Sequence, residues 1–125
     1  MARLLLMHDD VVISEFELGS TTFTIGRALH CNLTIDDPLV SQHHAQIERH
    51  DDAPDGSPRY LLRDLNSTNG SFVNGEQVEE HSLQDRDVLR FGTKHFVFRD
   101  ERAKEQQKTT RLRKSWIPGI FYTKD

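Results

Sequence analysis

Phe72-Val73-Asn74-Gly75-Glu76-Gln77-Val78 is the stretch that decides how the chain folds. Asn-Gly between apolar β-formers is the strongest short hairpin signal, because a type I′ turn needs positive φ at both central residues. The same period of two continues outward. Upstream, Tyr60/Leu62, Ala45/Ile47, Leu33/Ile35 and Phe23/Ile25 alternate with polar neighbours. So do Val12, Ser14, Phe16 and Leu18, which run into a tight turn at Gly19-Ser20. Downstream, Leu89/Phe91 and Phe96/Phe98 close the series, and the polar, Pro/Gly-rich residues 51–58 read as a hairpin tip. About nine short segments at even spacing, with no helical stripe before residue 100, predict an all-β fold: a two-sheet antiparallel sandwich.

Beyond Arg99 the character changes, so the chain divides into a body, residues 1–99, and a tail, residues 100–125. Asp100 is placed to cap a short helix over 101–108, but Ala103 is its only apolar residue, and so short a helix is marginal in water. Residues 108–114 are basic and polar, and Trp116-Ile117-Pro118-Gly119-Ile120-Phe121-Tyr122 forms an apolar patch.

Composition narrows the function. Val, Ile, Leu and Phe account for 33 of 125 residues, enough for a packed core but not for a large catalytic cleft. The net charge of -4 is unevenly placed: residues 1–100 carry 9 Lys/Arg against 17 Asp/Glu, residues 101–125 carry 7 against 3. An acidic body argues against a general nucleic-acid binder. The single cysteine, Cys31, excludes an internal disulfide and a cysteine-rich zinc module. Leu4-Leu5-Leu6-Met7 is too short for a signal peptide's apolar region, and no run approaches a membrane span. A reducing, cytoplasmic setting is the expectation.

Three loops hold polar residues suited to an anionic ligand. Gly26-Arg27 follows a strand; the glycine lets backbone approach closely, and an arginine fork binds phosphate oxygens bidentately. Ser41-Gln42-His43-His44 offers a hydroxyl ahead of the next strand, and Asn66-Ser67-Thr68-Asn69-Gly70 is rich in short polar side chains. Each of these alone is common: an arginine after a strand is usually a solvated charge, and Ser41 could simply cap a turn. Catalytic signatures are missing: the sequence has no Gly-x-Ser-x-Gly elbow, no P-loop and no His-Glu-x-x-His. His30, Cys31, His43, His44 and His50 invite a metal reading, but adjacent His43 and His44 on a strand would point to opposite faces. No enzyme, metal or cofactor is expected.

The order and spacing of Gly26-Arg27, Ser41-Gln42-His43-His44, Asn69-Gly70 and Asn74-Gly75 resemble the forkhead-associated (FHA) domain, a phosphothreonine-peptide-binding β-sandwich. The resemblance covers roughly residues 2–99 and includes the phrases Phe23-Thr24-Ile25-Gly26-Arg27 and, from Asp64 to Gly75, DLNSTNGSFVNG. It implies that Arg27 binds phosphate, Ser41 donates its hydroxyl to a phosphate oxygen, Thr68 adds a further contact, and Asn69 bonds the peptide backbone. Gln42 falls where the family often contacts peptide or phosphate. Gly26, His44, Gly70, Asn74 and Gly75 then support the site without touching ligand.

The implied function is an adaptor that reads a phosphothreonine written by an upstream Ser/Thr protein kinase. The alternative is a phosphate-independent scaffold or oligomerisation domain acting through the sheet surface and tail. In this family the residue three places after the phosphothreonine often sets selectivity. The loop around Leu39 and Val40 is apolar here, which favours an uncharged residue there. Thr109 and Thr110 are candidate regulatory phosphosites; phosphorylated, either would make the tail a ligand for the same fold. The family's recognition loops lie opposite its chain termini, across a body of roughly 35 Å. Ten residues from Arg99 reach at most about 33–36 Å, so head-to-tail self-association is easier than self-binding.

Overall fold

The computed structural model describes residues 2–19 and 21–100, which form eleven strands in two sheets. They are β1 (Ala2–His8), β2 (Val11–Glu17), β3 (Thr22–Gly26), β4 (Leu33–Thr34), β5 (Ala45–His50), β6 (Arg59–Asp64), β7 (Ser71–Val73), β8 (Glu76–Val78), β9 (Glu80–Ser82), β10 (Val88–Phe91) and β11 (Lys94–Asp100). One sheet has the order β2-β1-β11-β10-β7-β8, the other β4-β3-β5-β6-β9. The sandwich expected from the alternating pattern is therefore present. One departure is that β3 and β4 pair in parallel, with Ile25 opposite Leu33 and Gly26 opposite Thr34.

The core lies between the sheets. Leu4, Leu89, Phe96 and Phe98 face Ile25, Ile47 and Leu62, each with 1% or less of its surface exposed. Each such side chain stabilises the fold by about 1.5–3 kcal/mol through burial alone. Tyr60 of β6 and Phe98 of β11 cross the interface with ring centroids 5.5 Å apart.

The predicted hairpin forms at Asn74 (φ 52°) and Gly75 (φ 87°), joining β7 to β8. Asn74 also ties the turn to β10: its Nδ2 donates to Asp87 Oδ1 at 3.0 Å and its Oδ1 accepts from the Val88 N–H.

The sequence pattern does not display two of the strands, β1 and β9. β9 is three residues long and polar throughout. β1 carries the apolar run Leu4-Leu5-Leu6-Met7 without alternation, although only Ala2 and Leu4 are fully buried. The turn into β2 uses Asp9 (φ 52°) and Asp10 (φ 66°), two positive-φ residues without a glycine.

In β2 the alternation holds from Ser14 to Leu18 but fails at Val12. The register slips between Leu6 and Met7, where β2 carries one extra residue. That bulge leaves Val11, Val12 and Ile13 exposed at 62%, 46% and 57%.

Gly19-Ser20 connects strands of different sheets, and Ser20 is outside the described residues. Asp100 is the last residue of β11 and donates its backbone N–H to Asp85 Oδ1. The helix read for 101–108, the basic run, the apolar patch and Thr109/Thr110 all fall outside the described residues.

Candidate functional site

The loops after β3, before β5 and between β6 and β7 meet at one end of the sandwich. Gly26 closes β3 where the backbone of the 38–44 loop passes against it. A Cβ there would lie 2.2 Å from the Gln42 carbonyl oxygen, so only glycine fits. Arg27 follows, with its N–H on the Ser41 carbonyl at 2.9 Å and its Nε on the Val40 carbonyl at 3.0 Å. That anchors the base of the guanidinium, while the side chain is exposed and its terminal nitrogens hold no described partner.

Ser41 is half-buried and sits between two loops. Its Oγ accepts the Thr68 N–H at 3.0 Å and lies 3.5 Å from Thr68 Oγ1. Asn69 Nδ2 donates to the Leu39 carbonyl at 2.8 Å, leaving its amide oxygen and second N–H for another partner. Thr68, Asn69 and Gln42 are exposed, and the Gln42 carbonyl accepts the Ala28 N–H. The structure thus brings Arg27, Ser41, Gln42, Thr68 and Asn69 to one surface.

His44 supports that surface from below. It is completely buried. Its Nδ1 accepts the Ser41 N–H at 3.1 Å, and that bond assigns the proton to Nε2, which donates to the Gly70 carbonyl at 2.9 Å. One neutral imidazole therefore joins the two loops and packs edge-on to Phe91.

Further supports carry no signal in the local sequence. Asp37, 6% exposed, accepts from the Thr93 N–H and hydroxyl and from the Leu39 N–H. The Thr93 hydroxyl and those amides hold its carboxyl at about 2, below the usual carboxylate range. Asp64 accepts from Ser67 and Ser71, and the Ser67 Oγ in turn accepts the Gly70 N–H at 2.9 Å. Burial pushes the Asp64 carboxyl up, but hydrogen bonds from Ser67 and Ser71 outweigh it, and the net direction is downward.

Two expectations change. Val40 is buried at 1%, its side chain turned into the core, so of the apolar pair only Leu39, 46% exposed, faces outward. His43 and His44 do point apart, but His43 meets His30 instead, Nε2 to Nε2 at 2.8 Å on the surface. That bond needs one ring nitrogen to donate and the other to accept. Among the described residues no group of three or more His, Cys, Asp or Glu is arranged to hold a metal. On the far side of the 65–70 loop, an open groove contains Arg63, but Glu48 and Glu80 bind that guanidinium. The exposed Arg27 is the better anion contact.

A family model described as "FHA domain" matches residues 23–92. The chain belongs to the FHA domain family. It is 36% identical over 94 residues to FHA domain-containing protein FhaA of Mycobacterium tuberculosis, covering 75% of this chain and 17% of that protein. It is 35% identical over 112 residues to an ABC transporter ATP-binding/permease protein of the same organism, covering 87% of this chain and 12% of the relative. The FHA domain described here thus spans a small part of the length of those relatives.

Among solved structures, one from a study of phosphothreonine-dependent FHA domain interactions aligns with a TM-score of 0.68 and 33% identity, covering 79% of this chain and 95% of the other. The FhaA FHA domain, complexed with the intracellular domain of another protein, aligns equally well and is covered completely. Among the described residues no helix is long and apolar enough to cross a membrane.

Proposed function

We propose that this FHA domain is a phosphothreonine-peptide-binding adaptor, serving phosphorylation-dependent protein–protein interaction downstream of a Ser/Thr kinase in the cytoplasm. It is a binding module rather than an enzyme. The observation that carries the reading is the convergence of Arg27, Ser41, Thr68 and Asn69 on one surface, braced by buried His44. A phosphomonoester brings about -1.5 to -2 charges and three acceptor oxygens. The Arg27 guanidinium supplies the charge and paired donors, and the Ser41 and Thr68 hydroxyls supply more. Asn69, with an amide oxygen and an N–H in hand, holds the peptide backbone extended. Gln42 borders the phosphate, and the exposed Leu39 favours an uncharged residue three places after the phosphothreonine. The similar structure from the study of phosphothreonine-dependent FHA domain interactions, and that of EmbR of Mycobacterium tuberculosis in complex with a low-affinity phosphopeptide, support the reading.

The FHA body runs through Asp100, the last residue of β11, and residues 101–125 follow as a basic tail. Once phosphorylated, Thr109 or Thr110 would let one molecule's tail occupy another's site.

An oriented phosphothreonine-peptide library screened against the full 125-residue chain, followed by calorimetric titration of the best peptide, tests the function. The phosphorylated peptide is expected to bind and its unphosphorylated form not to. Arg27→Ala is expected to abolish binding while the fold stays intact, its thermal unfolding midpoint lowered only slightly by loss of the bond to Val40. Equal affinity for the two peptide forms, or full affinity in the variant, overturns the assignment.

A further inference from the structure

β2 is the outer strand of its sheet, hydrogen-bonded to β1 on one side and to no described strand on the other. It presents Val11, Val12 and Ile13 to solvent, with Glu15 and Glu17 exposed beside them. A free edge is a row of unpaired N–H and C=O groups, a template for one more strand. Acidic side chains on such an edge repel an acidic partner. A second copy's β2 would set glutamates against glutamates, and residues 1–100 carry 17 Asp/Glu against 9 Lys/Arg. The same edge accepts a basic, β-compatible strand that ends in apolar residues.

We propose that residues 111–117 of this chain are that strand, pairing antiparallel with β2 as a seventh strand of the sheet. Three observations fix the choice. The first is charge: residues 101–125 carry 7 Lys/Arg against 3 Asp/Glu, opposite in sign to the body.

The second is reach and direction. β11 delivers the chain at Asp100, which lies opposite Ala2, and neighbouring Arg3 lies opposite Glu17. The open edge of β2 is three strand spacings from β11, about 14 Å. Residues 101–110 supply up to about 33 Å when extended, enough to cross and reverse. The returning strand then starts at the Glu17 end and runs toward Val11, antiparallel to β2.

The third is register. With Arg111 opposite Glu17, Leu112 falls opposite Phe16, Arg113 opposite Glu15, and Trp116 opposite Val12. The arginines lie on the outer face with the glutamates. Leu112 joins Phe16 on the inner face, where Phe16 packs edge-on to Phe96. Trp116 and Ile117 cover the apolar residues that the bulge leaves exposed. Pro118 has no N–H and ends the ladder.

The inference does not rest on phosphopeptide binding, since β2 contributes nothing to the recognition loops; a tail paired with β2 would be held back from another molecule's site. Amide hydrogen exchange on the full chain tests it, read at the β2 amides that point away from β1. In the native chain these are expected to exchange about tenfold slower than in the Arg111→Glu, Arg113→Glu chain. Adding Glu15→Lys and Glu17→Lys to that variant is expected to restore protection by exchanging the signs of both partners. Trp116, the only tryptophan, is expected to fluoresce further to the blue in the native and restored chains than in the tail variant. Equal exchange at these amides in native and tail-variant chains overturns the proposal. Protection that grows with protein concentration overturns the intrachain pairing in favour of exchange between copies.

Discussion

Two loop regions of the molecule are held in opposite ways. The recognition loops are fixed by bonds between residues far apart in the chain: His44 to Gly70, Ser41 to Thr68, Leu39 to Asn69, Asp37 to Thr93. Several of these anchors are buried, where a missing partner is costly. The loop of residues 51–58, between β5 and β6, is held by short-range contacts on the surface: Asp55 to Ser57, Asp52 to Arg59, Asp51 to Arg49. Exposed pairs of that kind contribute little. The contrast separates a surface that must keep its shape to grip a ligand from one that merely reverses the chain.

Breaking the first kind of anchor should have the largest effect. Gly26→Val forces a side chain into the Gln42 carbonyl, and it is expected to destabilise the fold by about 3 kcal/mol or more, read by denaturant unfolding. His44→Ala leaves the half-buried Ser41 N–H and the buried Gly70 carbonyl without their partner. A loss of about 2–4 kcal/mol is expected, since each orphaned group costs about 1–3 kcal/mol. Phosphopeptide affinity should fall with it under conditions where the variant remains folded, as checked by calorimetry.

Asp37 sharpens the comparison through pH. Its carboxyl is held at about 2 against an ordinary 3.8, so the folded state favours the ionised form. The stabilisation is fully present above about pH 4 and is lost as pH falls through about 2. Asp37→Asn is expected to be less stable than the native chain at pH 7, and the gap should narrow on acidification, followed by thermal unfolding at a series of pH values. A constant gap would show that the charge plays no part. At the other extreme, Asp55→Ala in the 51–58 loop is expected to change stability by no more than about 0.5 kcal/mol and to leave phosphopeptide affinity unchanged.

How much of this was legible in the sequence follows the same division. The Asn74-Gly75 turn could be read because its constraint, positive φ, acts on the residues that display it. Gly26-Arg27 and the Ser41 loop were legible as a pattern, and the structure adds that Gly26 is needed to admit the Gln42 backbone. Asp37 was not legible, because its partner Thr93 is 56 residues away and nothing near Asp37 announces it. Asp64 is hidden for a different reason: its partners Ser67 and Ser71 are near in the chain but read as ordinary loop serines. Val40 was misjudged for a related reason: beside Leu39 in the sequence, it points inward because Asp37 turns the chain there. The β2 bulge hid behind an alternation that was correct on one side of Ile13 only.

The pairing of Ala2 with Asp100 has a consequence for how such a module is used. The first and last described strands are neighbours in one sheet, so a polypeptide passing through the domain enters and leaves about 5 Å apart. The Gly92-Thr93 turn that holds Asp37 is at the opposite end of β11, and the binding loops are there with it. The two ends of the body therefore sit side by side, and the binding loops face away from both.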